Sequence, residues 1–457
     1  MSSLLKNYKN VSVSGWGQTN KTNLKIIEPN NIEEIQDIIK KSPSKSLIAR
    51  GLGRSYGDAA QLANSFGLNL NSFKKIDLDA ASGIVSVGAG VSFDELLKKI
   101  VPLGFFIPVS PGTKNVTIGG AISADVHGKN HHVDGSFGVH LKEIKIIDGK
   151  GNINIISPEK FGGSQNCEYF WATIGGMGLL GVILEAKFSL IPISTSLMKV
   201  DTTKFKDLDS LMEAMINADK NYRYSVAWVD SMNLRGRGVL TCGDHLSLED
   251  YRNNSSVNPL MYDPKSLLKA PSFLPGSILN QFTIRAFNEG WYRKSPLNKK
   301  NEIQTIPQYF YPLDGMRNWN NLYGPRGFIQ YQFMIKDSKS FLISKVLDTL
   351  RNIYAYSFLT VLKRFGPSNK APLSFPDSGW TLAIDIPAKV PNLLDTLDNI
   401  DQLIASNDGS IYLAKDSRMS TEIFRKMYPL YSDWKRIKEK VDPNQIFHSD
   451  LAERLCI

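Results

Sequence analysis

Read for the spacing of its apolar residues, the chain changes character near residue 196. Upstream, short apolar runs alternate with helical patterns, and glycine stands at the joints. In "NIEEIQDIIKKS" the isoleucines recur at helical spacing, Asn31 opens the segment, and Glu33 and Glu34 fall in the first turn, where the helix dipole favours acids. "SLIARGLGRSYGDAA" starts as an apolar strand and breaks into a glycine-rich loop. "GIVSVGAGVSFDELLKKIVPLG" predicts a strand, a turn at Gly88 to Gly90, and a helix capped by Ser92. "LKEIKIIDGKGNINIIS" predicts two strands around a glycine hairpin turn, and "YFWATIGGMGLLGVILEAKFSLIP" a glycine turn followed by a long strand. Downstream the texture differs. Helical "DLDSLMEAMINADK" alternates with the aromatic-rich strands "YSVAWVDS", "GFIQYQFMI" and "WTLAIDIP", the pattern of a separate antiparallel sheet carrying helices. Residues 242–305, rich in Asn, Pro, Ser and Lys, predict a long loop or lid, and the last forty residues are helical.

Composition narrows the class. At 457 residues and 42% hydrophobic, the chain supports two domains with sizeable cores. A formal charge of +10 suits an anionic substrate, a phosphate-rich cofactor or an acidic membrane surface. Nucleic acid is not an expected partner: zinc-finger spacing, an RNP-like aromatic motif and long Arg/Lys runs are all missing. Cys167, Cys242 and Cys456 are scattered and odd in number, which fits a reducing compartment rather than a disulfide framework. The opening residues lack a signal-peptide core, and the most apolar stretch, "GLLGVILEAKFSLIPI", is interrupted by Glu185 and Lys187. The expected location is the cytoplasm, with room for peripheral contact at the inner face of the membrane.

The chemistry concentrates in "GGAISADVHGKNHH", residues 119–132: two adjacent glycines, then three histidines and a lysine. Three stretches, "RGLGRSYGD", "SPGTKNVTIGGAIS" and "TIGGMGLLG", present consecutive amides with no Cβ in the way, as a pyrophosphate or a flat ring requires. None is a GxGxxG entering a helix or a P-loop. No acid or cysteine sits at ligand spacing from the histidines, so no metal is expected. Blander roles remain open on this evidence. His131 and His132 can bond backbone only, Lys363 can be a solvated strand residue, and Gln330 and Gln332 share a strand face whatever they do.

In their order along the chain these stretches resemble the flavin domain of the vanillyl-alcohol-oxidase superfamily. "DVHGKNHH", "GSFG", "FGPSNKAPLSFP", "YLAKDSR" and "VDPNQIF" bring the resemblance closer, to the decaprenylphosphoryl-ribose oxidases, which use FAD to oxidise the ribose 2-hydroxyl of a lipid-linked sugar to a ketone. The resemblance covers nearly the whole chain apart from 242–305. It implies an α+β, two-domain flavoprotein: an FAD-binding domain begun over 1–195, a substrate domain over 196–410, and a helical segment, 411–457, returning to the FAD domain.

It also implies roles for particular residues. FAD would be held by Arg50, Gly51, Gly53, Arg54, Ser55, Tyr56 and Gly57; by Pro111, Gly112, Thr113, Thr117, Ile118, Gly119, Gly120, Ala121, Ala124, Asp125, His127, Gly128 and Asn130; and by Ile174, Gly175, Gly178, Gly181, Val182, Ile183, Tyr412 and Lys415. Lys415 would stabilise negative charge developing on the flavin, His127 would handle a proton or orient the hydroxyl with a reference pKa of about 6.5, and Tyr56 would join them. Lys129, Gln330, Gln332, Lys363, Thr381, Ala383 and Tyr412 would face substrate, with Lys363 on its phosphate. The chain departs from the pattern at three positions. Arg54 stands where many superfamily members carry the flavin-linking histidine, so FAD is expected to be non-covalent. Ala383 and Thr381 stand where mycobacterial relatives have cysteine and asparagine. The implied partners are a lipid-linked sugar used in building cell-envelope glycans, a separate NAD(P)H-dependent keto-sugar reductase, a quinone as electron acceptor, and a membrane surface met by the apolar-basic "SLLKAPSFLPGSILNQFTIRAF". A free sugar lactone or alditol oxidase and a non-catalytic flavin-binding subunit are the alternatives.

Overall fold

The computed structural model describes residues 8–158, 164–252, 258–264, 268–271 and 278–457. Lys265, Leu267, Phe273 and Leu274, which the sequence places in an apolar-basic segment, lie outside the described residues.

The first part of the chain builds two sheets. A mixed one runs in the order Lys9–Ser14, Lys21–Ile27, Phe66–Leu68, Leu47–Ala49. An antiparallel one runs Ile76–Asp79, Ile84–Gly88, Val182–Ser189, Leu141–Ile147, Ile153–Ile156. The helices that pack on them start where the sequence says they should. Asn31 accepts from the Glu34 amide and opens Ile32–Lys41, which buries Ile35, Ile38 and Ile39. Ser92 and Glu95 form a reciprocal capping box ahead of Phe93–Ile100. The 141–147/153–156 hairpin pairs in register as the alternation predicts.

The second part is one antiparallel eight-stranded sheet. Its order is Asn298–Thr305, Leu197–Phe205, Gly238–His245, Tyr224–Val229, Thr360–Phe365, Gly379–Pro387, Phe328–Ile335, Ser410–Ile411. Phe328–Ile335 is buried on both faces, so its glutamines cannot face bulk water. The fold class is α+β, as expected. The stretch 242–305 is not the single loop expected. Gly238–His245 ends inside it, Gln281–Lys294 is a helix, and Asn298–Thr305 is the sheet's edge strand. The helix was hidden because its cap, Asn280 with Thr283, uses a threonine in place of the usual Glu/Gln. The strand was hidden because an edge strand exposed on both faces carries charges instead of an apolar alternation.

After Ile411 the chain leaves this sheet and returns to the first one: Phe447 bridges Leu47, and Asp450–Leu455 is the last helix. That return closes a clamp. Tyr56 donates its amide to the Ala414 carbonyl at 2.9 Å, and Trp16 and Gly17 donate to the Ser55 and Tyr56 carbonyls at 2.7 and 3.0 Å. A Cβ on Gly57 would lie 1.7 Å from the Asp416 carbonyl oxygen, so only glycine fits there. Arg454 locks the contact from behind. Its guanidinium takes both Asp58 oxygens at 2.8 Å, reaches Asp416 at 2.9 Å, and donates to the Met419 carbonyl at 2.7 Å.

Arg454 neutralises two carboxylates that are 5% and 3% exposed. Replacing it with methionine (Arg454→Met) strands both, and the unfolding free energy in urea should fall by roughly 3–5 kcal/mol. Arg436→Met, which removes an exposed pair with Glu168, should change it by less than about 1 kcal/mol. Equal effects would mean that the clamp is not held by this network.

Candidate active site

The loops of the first two sheets and one face of the eight-stranded sheet enclose a cavity of about 1150 Å³. Small-ligand pockets run to roughly 300–1,000 Å³, so this one has room for a cofactor and a second molecule. Its inner walls are bare backbone. Among the described residues, the amides of Gly51, Leu52, Gly53, Arg54 and Ser55 donate to no protein acceptor. Gly53 holds φ at 64°, a Cβ at Gly51 would meet Thr117 Oγ1 at 2.3 Å, and one at Gly112 would project into open space. A row of unpaired amides beside glycine surfaces fits a pyrophosphate and a flat ring.

Most of the expected residues meet here. Arg50, Gly51, Gly53, Arg54, Ser55, Tyr56, Pro111, Gly112, Thr113, Thr117, Gly119, Gly120, Ala124, Gly178, Gly181 and Ile183 line the cavity, together with His127, Lys129, Gln330, Gln332, Lys363, Ala383, Tyr412 and Lys415. Gly57, Ile118, Ala121, Asp125, Gly128, Asn130, Ile174, Gly175, Val182 and Thr381 are buried without lining it. Asp125 shows why. Its carboxylate accepts from Ser136 (2.9 Å), the Gly138 amide (2.9 Å), Asn369 (2.6 Å) and Ser374, so it ties the histidine segment to the loop 366–375 and faces no ligand. Asn130 likewise spends its amide on the Pro108 carbonyl at 2.8 Å and on Asp134. Arg54 lies 3.8 Å over the Trp16 ring, a neighbour the sequence did not point to.

The reactive end is built across three strands. Gln332 pairs with Ala383 and Gln330 with Asp385 in the ladder. The Gln332 amide donates to His127 Nε2 at 3.1 Å and to Thr381 Oγ1 at 3.1 Å, and Thr381 donates to the Phe333 carbonyl at 2.9 Å. Tyr412 gives its hydroxyl to the Ala124 carbonyl at 2.6 Å and so serves as a wall. Lys415 Nζ sits 3.6 Å over the Tyr56 ring. Lys129 donates to the Tyr309 carbonyl and lies 4.1 Å over that ring.

His127 behaves differently from the proton handler expected at its reference pKa. Burial, with Lys363, His131 and Lys415 nearby, holds the ring well below its ordinary pKa. Nε2 accepts, so the proton resides on Nδ1, which has no protein partner. The imidazole is a fixed neutral hydrogen-bonding group rather than one that charges near neutrality. His131 accepts from the Gly366 amide and His132 meets the Tyr222 carbonyl, both at backbone.

The electrostatics are one-sided. Six cations line the cavity (Arg50, Arg54, Lys129, Lys294, Lys363, Lys415) against one carboxylate, Glu302. Burial lowers Lys129 to about 7 and Lys363 to about 8. Lys363 makes no hydrogen bond or ion pair to the described residues. The sequence reading missed Asp385. It is fully buried behind the lining, accepts from Gln330 through Oδ1, and leaves Oδ2 without a partner. Burial pushes its carboxyl up and the Lys415 amine down, each opposed by the charge of the other. Its two-residue offset from Ala383 on one strand was the available signal. Cys167, Cys242 and Cys456 all lie away from the cavity lining.

Comparison with known proteins gives the same class of site. Residues 24–157 match the family model described as FAD binding domain. Decaprenylphosphoryl-beta-D-ribose oxidase of Mycolicibacterium smegmatis is 37% identical over 449 residues, 96% of each chain. D-lactate dehydrogenase of Archaeoglobus fulgidus is 24% identical over 42% of this chain and 44% of its own. Cytokinin dehydrogenase 9 of Oryza sativa subsp. japonica is 24% identical over 45% of this chain and 40% of its own.

Proposed function

Since the chain belongs to the family of FAD-dependent oxidases typified by decaprenylphosphoryl-beta-D-ribose oxidase, we propose that it oxidises the ribose 2-hydroxyl of a pentose carried on a polyprenyl phosphate to the ketone. The observation that carries this proposal is Lys363, a half-buried ammonium with no hydrogen-bond or ion-pair partner among the described residues, opening into the same cavity as Gln330, Gln332 and Lys415. An unpaired buried cation is costly unless a ligand supplies the counter-charge, and a phosphate does. A free alditol or lactone supplies none, and a binding-only subunit has no use for the polar groups gathered beside it.

FAD, when bound, supplies the hydride acceptor. The protein does the rest. The amides of Gly51 to Ser55 are available to hold the pyrophosphate, and Arg54 offers no linking nitrogen of the histidine type. Lys415 places positive charge beside the reacting centre, where negative charge builds. Gln332 and His127, fixed to each other, orient a sugar hydroxyl. Asp385, buried behind the lining and hydrogen-bonded to Gln330, opposes with its charge the burial that pushes the Lys415 amine down, and so helps to keep that ammonium charged. The product is a keto sugar, to be consumed by a separate nicotinamide-dependent reductase, and the electrons pass to oxygen or a quinone.

The described residues contain no helix long and apolar enough to cross a membrane. Helix Gln281–Lys294 instead exposes Phe282 one turn from Arg285, with Arg293 further along, and Leu268, Lys269 and Leu297, which flank the helix in sequence, are exposed too. We infer that this face rests on an anionic bilayer, each cation adding on the order of 1 kcal/mol.

Purified protein mixed anaerobically with farnesyl-phosphoryl-ribose should bleach its flavin, and a free alditol or sugar lactone should not. Lys415→Ala should keep acid-extractable FAD yet bleach roughly a hundredfold more slowly. Near-normal bleaching would remove Lys415 from the chemistry, and flavin that stays on the denatured chain would contradict the role given to Arg54.

Lys363 is charged below about pH 8 and neutral above it. For the phosphate-bearing substrate, kcat/KM should therefore decline as pH rises through that value. Lys363→Met should lower kcat/KM and abolish this limb; persistence of the limb would assign it elsewhere.

Sedimentation with phosphatidylglycerol vesicles should show binding that weakens with salt and is lost in an Arg285→Glu/Arg293→Glu variant. Indifference of the intact protein to these vesicles at low salt would exclude the membrane contact.

A further inference from the structure

The cavity does not end at Lys363. Gln332 stands opposite Ala383, Ala383 opposite Val361, Val361 opposite Trp228, and Trp228 opposite Val239. Directly opposed residues share a face of the sheet, and all five line the cavity, so they form one continuous floor. That floor is amide at the reactive end and apolar from Ala383 outward. Two residues before Trp228 on the same strand, Val226, opposite Thr241, adds to it.

A roof covers the apolar part. Phe287 and Trp291, one helical turn apart on Gln281–Lys294, also line the cavity, with ring centroids 6.3 Å apart and planes within 7°. Phe287 meets Phe358 edge-on at 5.4 Å. These two rings nevertheless remain 47% and 45% exposed. Large aromatics left this open over an apolar floor mark a site for an apolar ligand. The inner end of the same passage holds the unpaired ammonium of Lys363. Cation at the closed end and hydrocarbon surface at the open end describe an amphiphilic anion.

We propose that this arm seats the hydrocarbon chain of the lipid phosphate, with Phe287 and Trp291 closing over it, a proposal that rests on the lipid-linked substrate argued above. From the Ala383 strand to the Val239 strand there are three strand spacings, about 14 Å, on the order of three isoprene units. The remainder of a longer chain leaves at the mouth, where Lys294 stands and the exposed helix would meet the bilayer. The arm therefore reads the first units of the chain and is indifferent to its full length.

Calorimetric titration of the FAD-loaded protein tests this without turnover. Farnesyl phosphate should bind at least about tenfold more tightly than dimethylallyl phosphate, inorganic phosphate should be weakest, and geranylgeranyl phosphate should gain little over farnesyl. A Phe287→Ser/Trp291→Ser variant, altered only at solvent-exposed helix positions, should lose the preference for the longer chain while keeping its affinity for dimethylallyl phosphate and its flavin spectrum. Equal affinity of the five- and fifteen-carbon phosphates in the unaltered protein overturns the proposal, and so does a variant that keeps the preference. If farnesyl phosphate binds as stated while no lipid-linked sugar bleaches the flavin, the arm stands and the sugar assignment falls. If such sugars bleach it but chain length leaves affinity unchanged, the reverse holds.

Discussion

Three stretches of backbone, 15–17, 55–57 and 414–416, stack against one another closely enough that two of the residues must be glycine. A Cβ on Gly15 would lie 2.1 Å from the Gly57 carbonyl oxygen, and one on Gly57 1.7 Å from that of Asp416. This contact sets the site. It puts the Tyr56 ring beneath the Lys415 ammonium. It also holds the 51–55 loop at its Ser55 end, while the Arg50 amide on the Leu68 carbonyl holds the other, leaving the amides between free for a ligand. The segments meet only because the chain crosses the large sheet and comes back, and Arg454 secures the return by spanning Asp58 and Asp416. Helices and strands supply positions; this contact supplies the register between the two halves.

The second constraint is charge. Burying several lysines in one cavity raises the free energy of the folded protein, and their lowered affinity for protons records that strain. Nothing in the lining compensates except Glu302, at the outer end. In the function proposed, what binds supplies the compensation: the pyrophosphate of FAD at one end and a substrate phosphate at the other. Ligand binding is then also stabilisation of the fold, by mass action. Partial neutralisation of Lys129 and Lys363 near physiological pH lets the site exist before the ligands arrive. The same logic explains the neutrality of His127, since an imidazolium there would face the Lys363 and Lys415 ammoniums instead of a carboxylate.

How much of this was legible in the sequence depended on the range of the interaction. Caps, hairpins and glycine turns are local, and Asn31, Ser92 and the 141–156 hairpin stand where pattern reasoning put them. The shared face of Gln330 and Gln332 follows from a two-residue period, and the motif-borne lysines converge on one cavity. What failed was non-local or environmental. Asp125 and Asn130 lie inside a glycine-rich segment that touches the cavity, yet their side chains turn back into structure, which spacing alone cannot distinguish. The titration of His127 was misjudged because burial, absent from the sequence, outweighs identity. Residues 281–305 were read as loop because an exposed edge strand and a partly buried helix share the polar composition of a loop. Asp385 and Trp228 were overlooked because their importance lies in which strand they oppose.

That last point bears on how one sheet could serve the chemically unlike parts of the substrate proposed. Along each strand the side chains alternate between faces, so one face receives a residue only about every 7 Å, whereas across strands it receives one about every 5 Å, and each strand is free to choose it. The row from Gln332 through Ala383 and Val361 to Trp228 and Val239 makes that choice five times, polar first and apolar thereafter. Lys363, two residues along from Val361 on the same strand, falls at the transition. A ligand laid perpendicular to the strands therefore meets hydrogen-bonding groups, then a cation, then hydrocarbon, in the order in which a sugar, a phosphate and a lipid are joined. Replacing one residue of the row alters one zone and leaves the others in place.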